Sequence, residues 1–101
     1  MSGTPNPYRH QYEVIPASST NVVLGTTGAI GDFLHRIVLN VTTGASSQWS
    51  LTDGSTFIIS SVASLPVGIN NIEINAASQN GAWKVTTGGG ISIIGIGTFT
   101  N

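Results

Sequence analysis

The stretch Phe33-Leu34-His35-Arg36-Ile37-Val38-Leu39-Asn40-Val41-Thr42-Thr43 decides the fold, because no other strand-forming run in the chain is as long or as clear. Apolar side chains recur at every second position, which is typical of a β-strand with one face in a core. The opposite face mixes apolar, charged and polar residues, as in a sandwich strand whose outer face is partly covered. We expect the core-facing set to be Phe33, His35, Ile37, Leu39 and Val41.

Outward from this strand, seven further short segments have strand character and are separated by turn residues. They span residues 12–15, 21–24, 48–51, 56–60, 69–76, 82–86 and 91–99. Asp53-Gly54 and Asn80-Gly81 predict two-residue hairpin turns. Residues 27–39 also have apolar spacing that fits a helix, but their glycines and the β-branched run that follows favour a strand. The sequence therefore predicts an all-β fold: an antiparallel β-sandwich or jelly-roll-like barrel of about eight short strands.

The domain organisation is predicted to be simple, with an extended N-terminal arm at residues 1–11 and a single β-sandwich domain at 12–101. Two prolines favour an extended arm, and no apolar pattern ties it to the domain. Close to the start of the domain, two aromatic rings, a guanidinium and an imidazole fall within five positions. Aromatic and arginine side chains anchor interfaces, so we expect this group to bind a neighbouring subunit: Tyr8, Arg9, His10 and Tyr12.

Charge is scarce, since Asp, Glu, Lys and Arg make up 7% of the chain against about 25% in a typical soluble domain. Twelve Ser, twelve Thr and eight Asn supply neutral hydrogen-bonding groups instead. Few charged groups lose their hydration shells when such a surface is covered, which favours self-association or permanent contact with another protein. Three Lys and Arg in total exclude a basic patch for direct nucleic-acid binding, and no apolar run reaches the length of a membrane span. We also expect no signal peptide.

No constellation of residues points to catalysis, a metal or a cofactor. His10 and His35 are the only imidazoles, and on a strand Asp32 and His35 face opposite sides, so they do not converge on a metal. The carboxylates are spread singly, and no nucleophile motif with a positioned base is present. Trp49 and Trp83 fall in phase with aliphatic strand residues, which indicates core packing. The sequence therefore predicts no catalytic residues, no metal, no cofactor and no enzymatic activity.

A resemblance enters with the segment Leu24-Gly25-Thr26-Thr27-Gly28-Ala29-Ile30-Gly31-Asp32-Phe33-Leu34. Together with Asp53-Gly54, the segment from Asn80 to Gly88 and the final strand ending in Gly-Thr-Phe, it resembles small proteins of tailed bacteriophages over about residues 20–99. The resemblance implies a capsid decoration (cement) protein: a virion structural protein on the capsid exterior, assembled in the host cytoplasm. It also implies binding to the major capsid protein and a homotrimer.

Glycan recognition is the alternative function. In that case the chain would be a phage tail-fibre or receptor-binding module that recognises a cell-surface glycan. Exposed Trp49 or Trp83 would then stack against a sugar ring, whereas core packing of both indoles would remove that platform.

Overall fold

The structure, a computed structural model, describes residues 11–61 and 65–100 and contains eight β-strands there. A short 3-10 turn spans Gly44–Ser46. Each of the eight predicted strands is present, with ends shifted by one or two residues. In chain order they are β1 (Gln11–Ile15), β2 (Val22–Val23), β3 (Phe33–Val41), β4 (Trp49–Asp53), β5 (Thr56–Ser61), β6 (Gly68–Ala77), β7 (Trp83–Thr87) and β8 (Ile91–Thr98).

The strands form two four-stranded antiparallel sheets. The front sheet has the order β1-β8-β3-β6, and the back sheet has the order β2-β7-β4-β5. The first strand therefore pairs with the last, the second with the seventh, the third with the sixth and the fourth with the fifth. This pairing is that of one long hairpin rolled into two facing sheets, which is a jelly roll. The prediction of an all-β sandwich is confirmed.

The core lies between the sheets and is built from alternate residues of nearly every strand. Both indoles are inside, with Trp49 4% and Trp83 2% exposed. The Trp83 ring N–H donates to the Asp32 carbonyl at 2.9 Å, so its one polar atom is satisfied within the core. The prediction that both tryptophans pack in the core is confirmed.

The alternation of β3 differs from the prediction at its first residues. Leu34 is fully buried, whereas Phe33 and His35 are partly exposed and lie outside the core cluster. The cause is a β-bulge between Leu34 and Arg36, which shifts the register against both neighbouring strands. An extra residue reverses the side-chain phase, so the predicted set is right from Ile37 onward and wrong before it.

The two predicted hairpin turns also differ from the prediction. Asp53 pairs with Thr56, so the connecting residues of the β4–β5 hairpin are Gly54 and Ser55 rather than Asp53 and Gly54. Only Gly54 has a positive φ there, +62°, which fits a type II′ turn with Gly at its first position. Asn80-Gly81 is not a hairpin turn, because β6 belongs to the front sheet and β7 to the back sheet. It lies in a connection that crosses between the sheets.

The predicted arm falls mostly outside the described residues, which begin at Gln11. Gln11 itself belongs to β1, and its side-chain carbonyl accepts a hydrogen bond from the Phe99 N–H at 3.1 Å. No helix in the described part of the chain has the length and apolar character needed to cross a membrane.

Candidate functional site

The outer face of the front sheet carries a continuous apolar surface. Strand register places its side chains in rows across the sheet: Tyr12, Ile96, Arg36 and Glu73 form one row, and Val14, Ile94, Val38 and Asn71 form the next. Opposite side chains within a row are about 5 Å apart and those of the next row about 7 Å away, which large apolar side chains can span. We call these five residues the front-face cluster: Tyr12, Val14, Val38, Ile94 and Ile96.

The front-face cluster is open to solvent although its members are apolar. Tyr12 is 74% exposed and Val14 54% exposed, on the edge strand β1. Val38, Ile94 and Ile96 are half-buried on the central strands β3 and β8. Isolated apolar residues are common on surfaces, but a contiguous group across three adjacent strands is typical of an interface.

Among the described residues, the charged side chains on this face are Arg36 and Glu73. Arg36 and Glu73 lie directly opposite each other on β3 and β6, and the Glu73 carboxylate accepts a hydrogen bond from the Asn75 side-chain amide at 3.2 Å. The rest of the face adds neutral side chains such as Ser92, Asn40 and Asn71. The five residues of the front-face cluster carry no charge, so covering them has a low electrostatic cost, whereas covering Arg36 and Glu73 as well would require the desolvation of two ions.

The face is large enough for a protein interface. Four strands spaced about 4.8 Å apart and about eight residues long give roughly 19 by 27 Å, or roughly 500 Å² of flat area. Side-chain relief raises the accessible area above this value. A standard protein interface buries about 800 Å² on each partner, so the flat area of this face in one copy is more than half of that size.

Of the predicted interface residues, the structure describes only Tyr12. It lies within the front-face cluster, opposite Ile96 on β8. Tyr8, Arg9 and His10 lie outside the described residues, so their predicted role as interface anchors stays a prediction.

Sequence reasoning missed the other members of the front-face cluster. The available signal was β8, in which Ile94 and Ile96 alternate with Ile91 and Ile93, so that both faces are apolar. A strand with two apolar faces is expected to be covered on both sides. Here Ile91 and Ile93 are fully buried between the sheets, whereas Ile94 and Ile96 point outward without a covering layer in the described chain.

Two buried carboxylates, those of Asp32 and Asp53, hold loops together through hydrogen bonds. Asp32 is 8% exposed; its carboxylate accepts hydrogen bonds from the Ala29 N–H at 2.9 Å, from the Thr100 N–H at 3.0 Å and from the Thr100 hydroxyl at 2.7 Å. Asp53 is 4% exposed, and its two oxygens accept from the N–H groups of Gln79 and Asn80. Each carboxylate therefore joins segments far apart in sequence, which accounts for both as structural residues.

The His35 side chain, at the β-bulge of β3, contacts two neighbouring side chains. Its Nδ1 lies 2.8 Å from the Asn75 side-chain oxygen, and its ring stacks on Phe33 with centroids 6.5 Å apart. Asn75 has a φ of +51°, a left-handed conformation that Asn tolerates. Among residues 11–61 and 65–100, no three His, Cys, Asp or Glu side chains converge as metal ligands would.

Comparisons of the chain with family models, with curated proteins and with solved structures gave no match. The jelly-roll fold alone does not identify the function, because virion proteins, lectins and enzymes share this fold. The functional conclusion therefore rests on the chemistry of the surfaces.

Proposed function

We propose that this chain is a virion structural protein that binds the outer surface of a phage capsid and stabilises it by bridging major capsid subunits. The observation that carries the proposal is the front-face cluster, an uncharged apolar surface on a rigid sheet. The resemblance to phage decoration proteins and the scarcity of charge in the sequence support the same function. No part of this function requires catalysis or a cofactor.

The rigidity of the front sheet favours a role in capsid stabilisation. Its central strands β3 and β8 are paired on both sides, so the apolar side chains are held in place before binding. A surface that is already ordered loses little conformational entropy when it docks, and more of the burial energy remains as affinity.

Bridging also requires a second contact, which we assign to the open side of the sandwich. There the edge strands β5 and β6 leave a groove of about 470 Å³, lined in part by Ile58, Ile74 and Ala76. Ile58 is 46% exposed. We propose that copies associate through this side as a homotrimer, because several linked copies bind a capsid far more tightly than one.

Capsid attachment is tested by co-sedimentation with expanded, undecorated capsids of the major capsid protein encoded in the same genome. Val14→Glu places a charge in the front-face cluster at an exposed position, so the domain still folds. Phe57→Glu is the matched control, because Phe57 is an exposed apolar strand residue on the back sheet. We expect Val14→Glu to weaken binding at least about tenfold and Phe57→Glu to change it less than about twofold. Absence of wild-type binding, or equal effects of both variants, contradicts the proposal.

Sedimentation equilibrium tests the trimer. We expect a single trimeric species at micromolar concentration for the wild type and a monomer for Ile58→Lys. A wild-type monomer at that concentration contradicts the proposed self-association.

A second candidate function, glycan recognition by a tail-fibre or receptor-binding module, is favoured by one observation. Phe57 is 66% exposed beside hydroxyl side chains on the back sheet. Trp49 and Trp83, the aromatic residues from which the sequence derives this function, are buried and offer no platform. Of the two most exposed aromatic rings in the described chain, Tyr12 belongs to the front-face cluster, so we assign this recognition to Phe57.

A further inference from the structure

We propose that the outer face of the back sheet is a binding site for an acidic oligosaccharide, centred on the Phe57 ring. This site rests on the second of the two proposed functions and is independent of capsid attachment through the front sheet. Its residues come from three neighbouring strands, β5, β4 and β7. They combine an exposed aromatic ring, unused hydrogen-bonding groups and one cation.

Phe57 stands between two grooves. A groove of about 320 Å³ on one side is lined by Ser50, Ser60 and Gln48 among others. A groove of about 240 Å³ on the other side is lined by Thr52 and Lys84 among others. The ring therefore forms a ridge with polar recesses on both flanks. This shape suits a chain of sugar rings, since the C–H face of one ring packs on the aromatic face while its neighbours enter the recesses.

The first groove offers free hydrogen-bonding groups. Ser50 and Ser60 lie directly opposite each other on β4 and β5. Within the described part of the chain, neither hydroxyl has a hydrogen-bond partner, and the Gln48 side chain has none either. The nearby Thr86 hydroxyl is already engaged with Asn21. Free donors and acceptors beside an aromatic ring match the alternating hydroxyls and C–H faces of a saccharide.

The second groove contains an unsatisfied buried hydroxyl. Thr52 is 6% exposed, and its Oγ1 has no hydrogen-bond partner within residues 11–61 and 65–100. A buried polar atom without a partner is costly, and such atoms in native proteins call for an explanation. Because this oxygen has almost no accessible surface, a ligand hydroxyl seated between Phe57 and Lys84 supplies the missing partner only if one of these two side chains moves aside.

Lys84 determines the charge of the ligand. Lys84 pairs with Thr52 on one side and Phe57 pairs with Thr52 on the other, so the two residues flank Thr52 in one row. Lys84 makes no ion pair in the described chain. Strand register places Asp53 on the opposite, inner face, where its oxygens bind backbone N–H groups. The outer face thus presents a cation without a carboxylate beside it. A sugar carboxylate, as in uronic or sialic acids, complements this charge.

The experiment uses sialyllactose and trigalacturonate as carboxylate-bearing probes and lactose and maltotriose as their neutral counterparts. Titrations of the full chain are followed by the backbone amide signals in NMR. We expect at least one acidic probe to shift amides of β4, β5 and β7, with about tenfold weaker binding of its neutral counterpart. We expect Lys84→Gln to remove this preference, Phe57→Ala to abolish binding and Phe57→Trp to retain it.

Ile69→Ala is the matched control, because Ile69 is 74% exposed and lies on the front sheet. It should leave the titration unchanged. Shifts by none of the probes at millimolar concentration, or full binding by Phe57→Ala, overturn the site. Because the capsid assay depends on the front sheet, Phe57→Ala should still sediment with capsids, so failure of the saccharide site is distinguishable from failure of the capsid role.

Discussion

Replacement of Gly54 by Ala tests how closely the β4–β5 turn packs against the β6–β7 connection. The backbone of Gly54 packs against the connection between β6 and β7. A Cβ on Gly54 would lie 2.7 Å from the Asn80 carbonyl oxygen and 2.8 Å from its carbon. The φ of Gly54 is also +62°, a left-handed conformation that L-residues adopt at a cost. Two separate penalties therefore meet at one position.

Neighbouring glycines separate the two penalties. Gly31 has a φ of +95° but no atom within 4 Å of its Cβ position, so Gly31→Ala carries the backbone penalty alone. Gly81 has no positive φ, yet its Cβ would lie 2.9 Å from the Gly54 Cα, so Gly81→Ala carries the contact penalty alone. The left-handed conformation costs about 1–2 kcal/mol and a forced contact about 1–3 kcal/mol.

We therefore expect losses of about 1 kcal/mol for Gly31→Ala, about 1–3 kcal/mol for Gly81→Ala and about 2–4 kcal/mol for Gly54→Ala. The free energy of unfolding is measured by urea denaturation, with the slope compared between variants to verify two-state behaviour. A loss for Gly54→Ala no greater than that for Gly31→Ala refutes the close packing of the two loops. A Gly81→Ala variant with unchanged unfolding free energy would likewise refute the close packing of the two loops.

Three further changes have defined outcomes. Asp32→Ala removes the acceptor of two backbone N–H groups and of the Thr100 hydroxyl, so unfolding free energy should fall by about 2–4 kcal/mol; a loss below about 1 kcal/mol contradicts this. His35→Ala should leave capsid co-sedimentation within about twofold of wild type, as should a chelator; loss of binding in both cases contradicts the prediction that no metal is involved. Deletion of residues 1–10 should leave the unfolding midpoint nearly unchanged and weaken capsid attachment, because Gln11 begins the first strand. A much lower midpoint makes the arm part of the core, and unchanged attachment removes its role as a tether.

The candidate surface was only partly predictable from the sequence. Tyr12 was found because aromatic and arginine residues cluster near the start of the domain. Ile94 and Ile96 were not found, because β8 is apolar on both faces and alternation alone does not tell which face lies inside. Phe57 was also missed, because a bulge next to Ile58 breaks the alternation of β5 and leaves the ring outside.

The sequence by itself determined the fold class and the approximate position of every strand. Strand alternation and turn chemistry are local properties, so β-branched runs broken by glycine and polar residues define strands before any contact forms. The tryptophans followed from the same rule, because each lies in phase with buried aliphatic residues.

Only the tertiary structure decided how the strands pair and which surfaces remain open. Asn80-Gly81 has the composition of a hairpin turn, yet it crosses between the sheets because β6 pairs with β3 and β7 with β4. The bulge at His35 likewise depends on register with two partner strands distant in the chain. Most of the pairing joins residues far apart in sequence, and the alternation within a strand does not tell which distant strand is its partner. The front-face cluster and the Phe57 ridge are products of that pairing, since each is assembled from three strands.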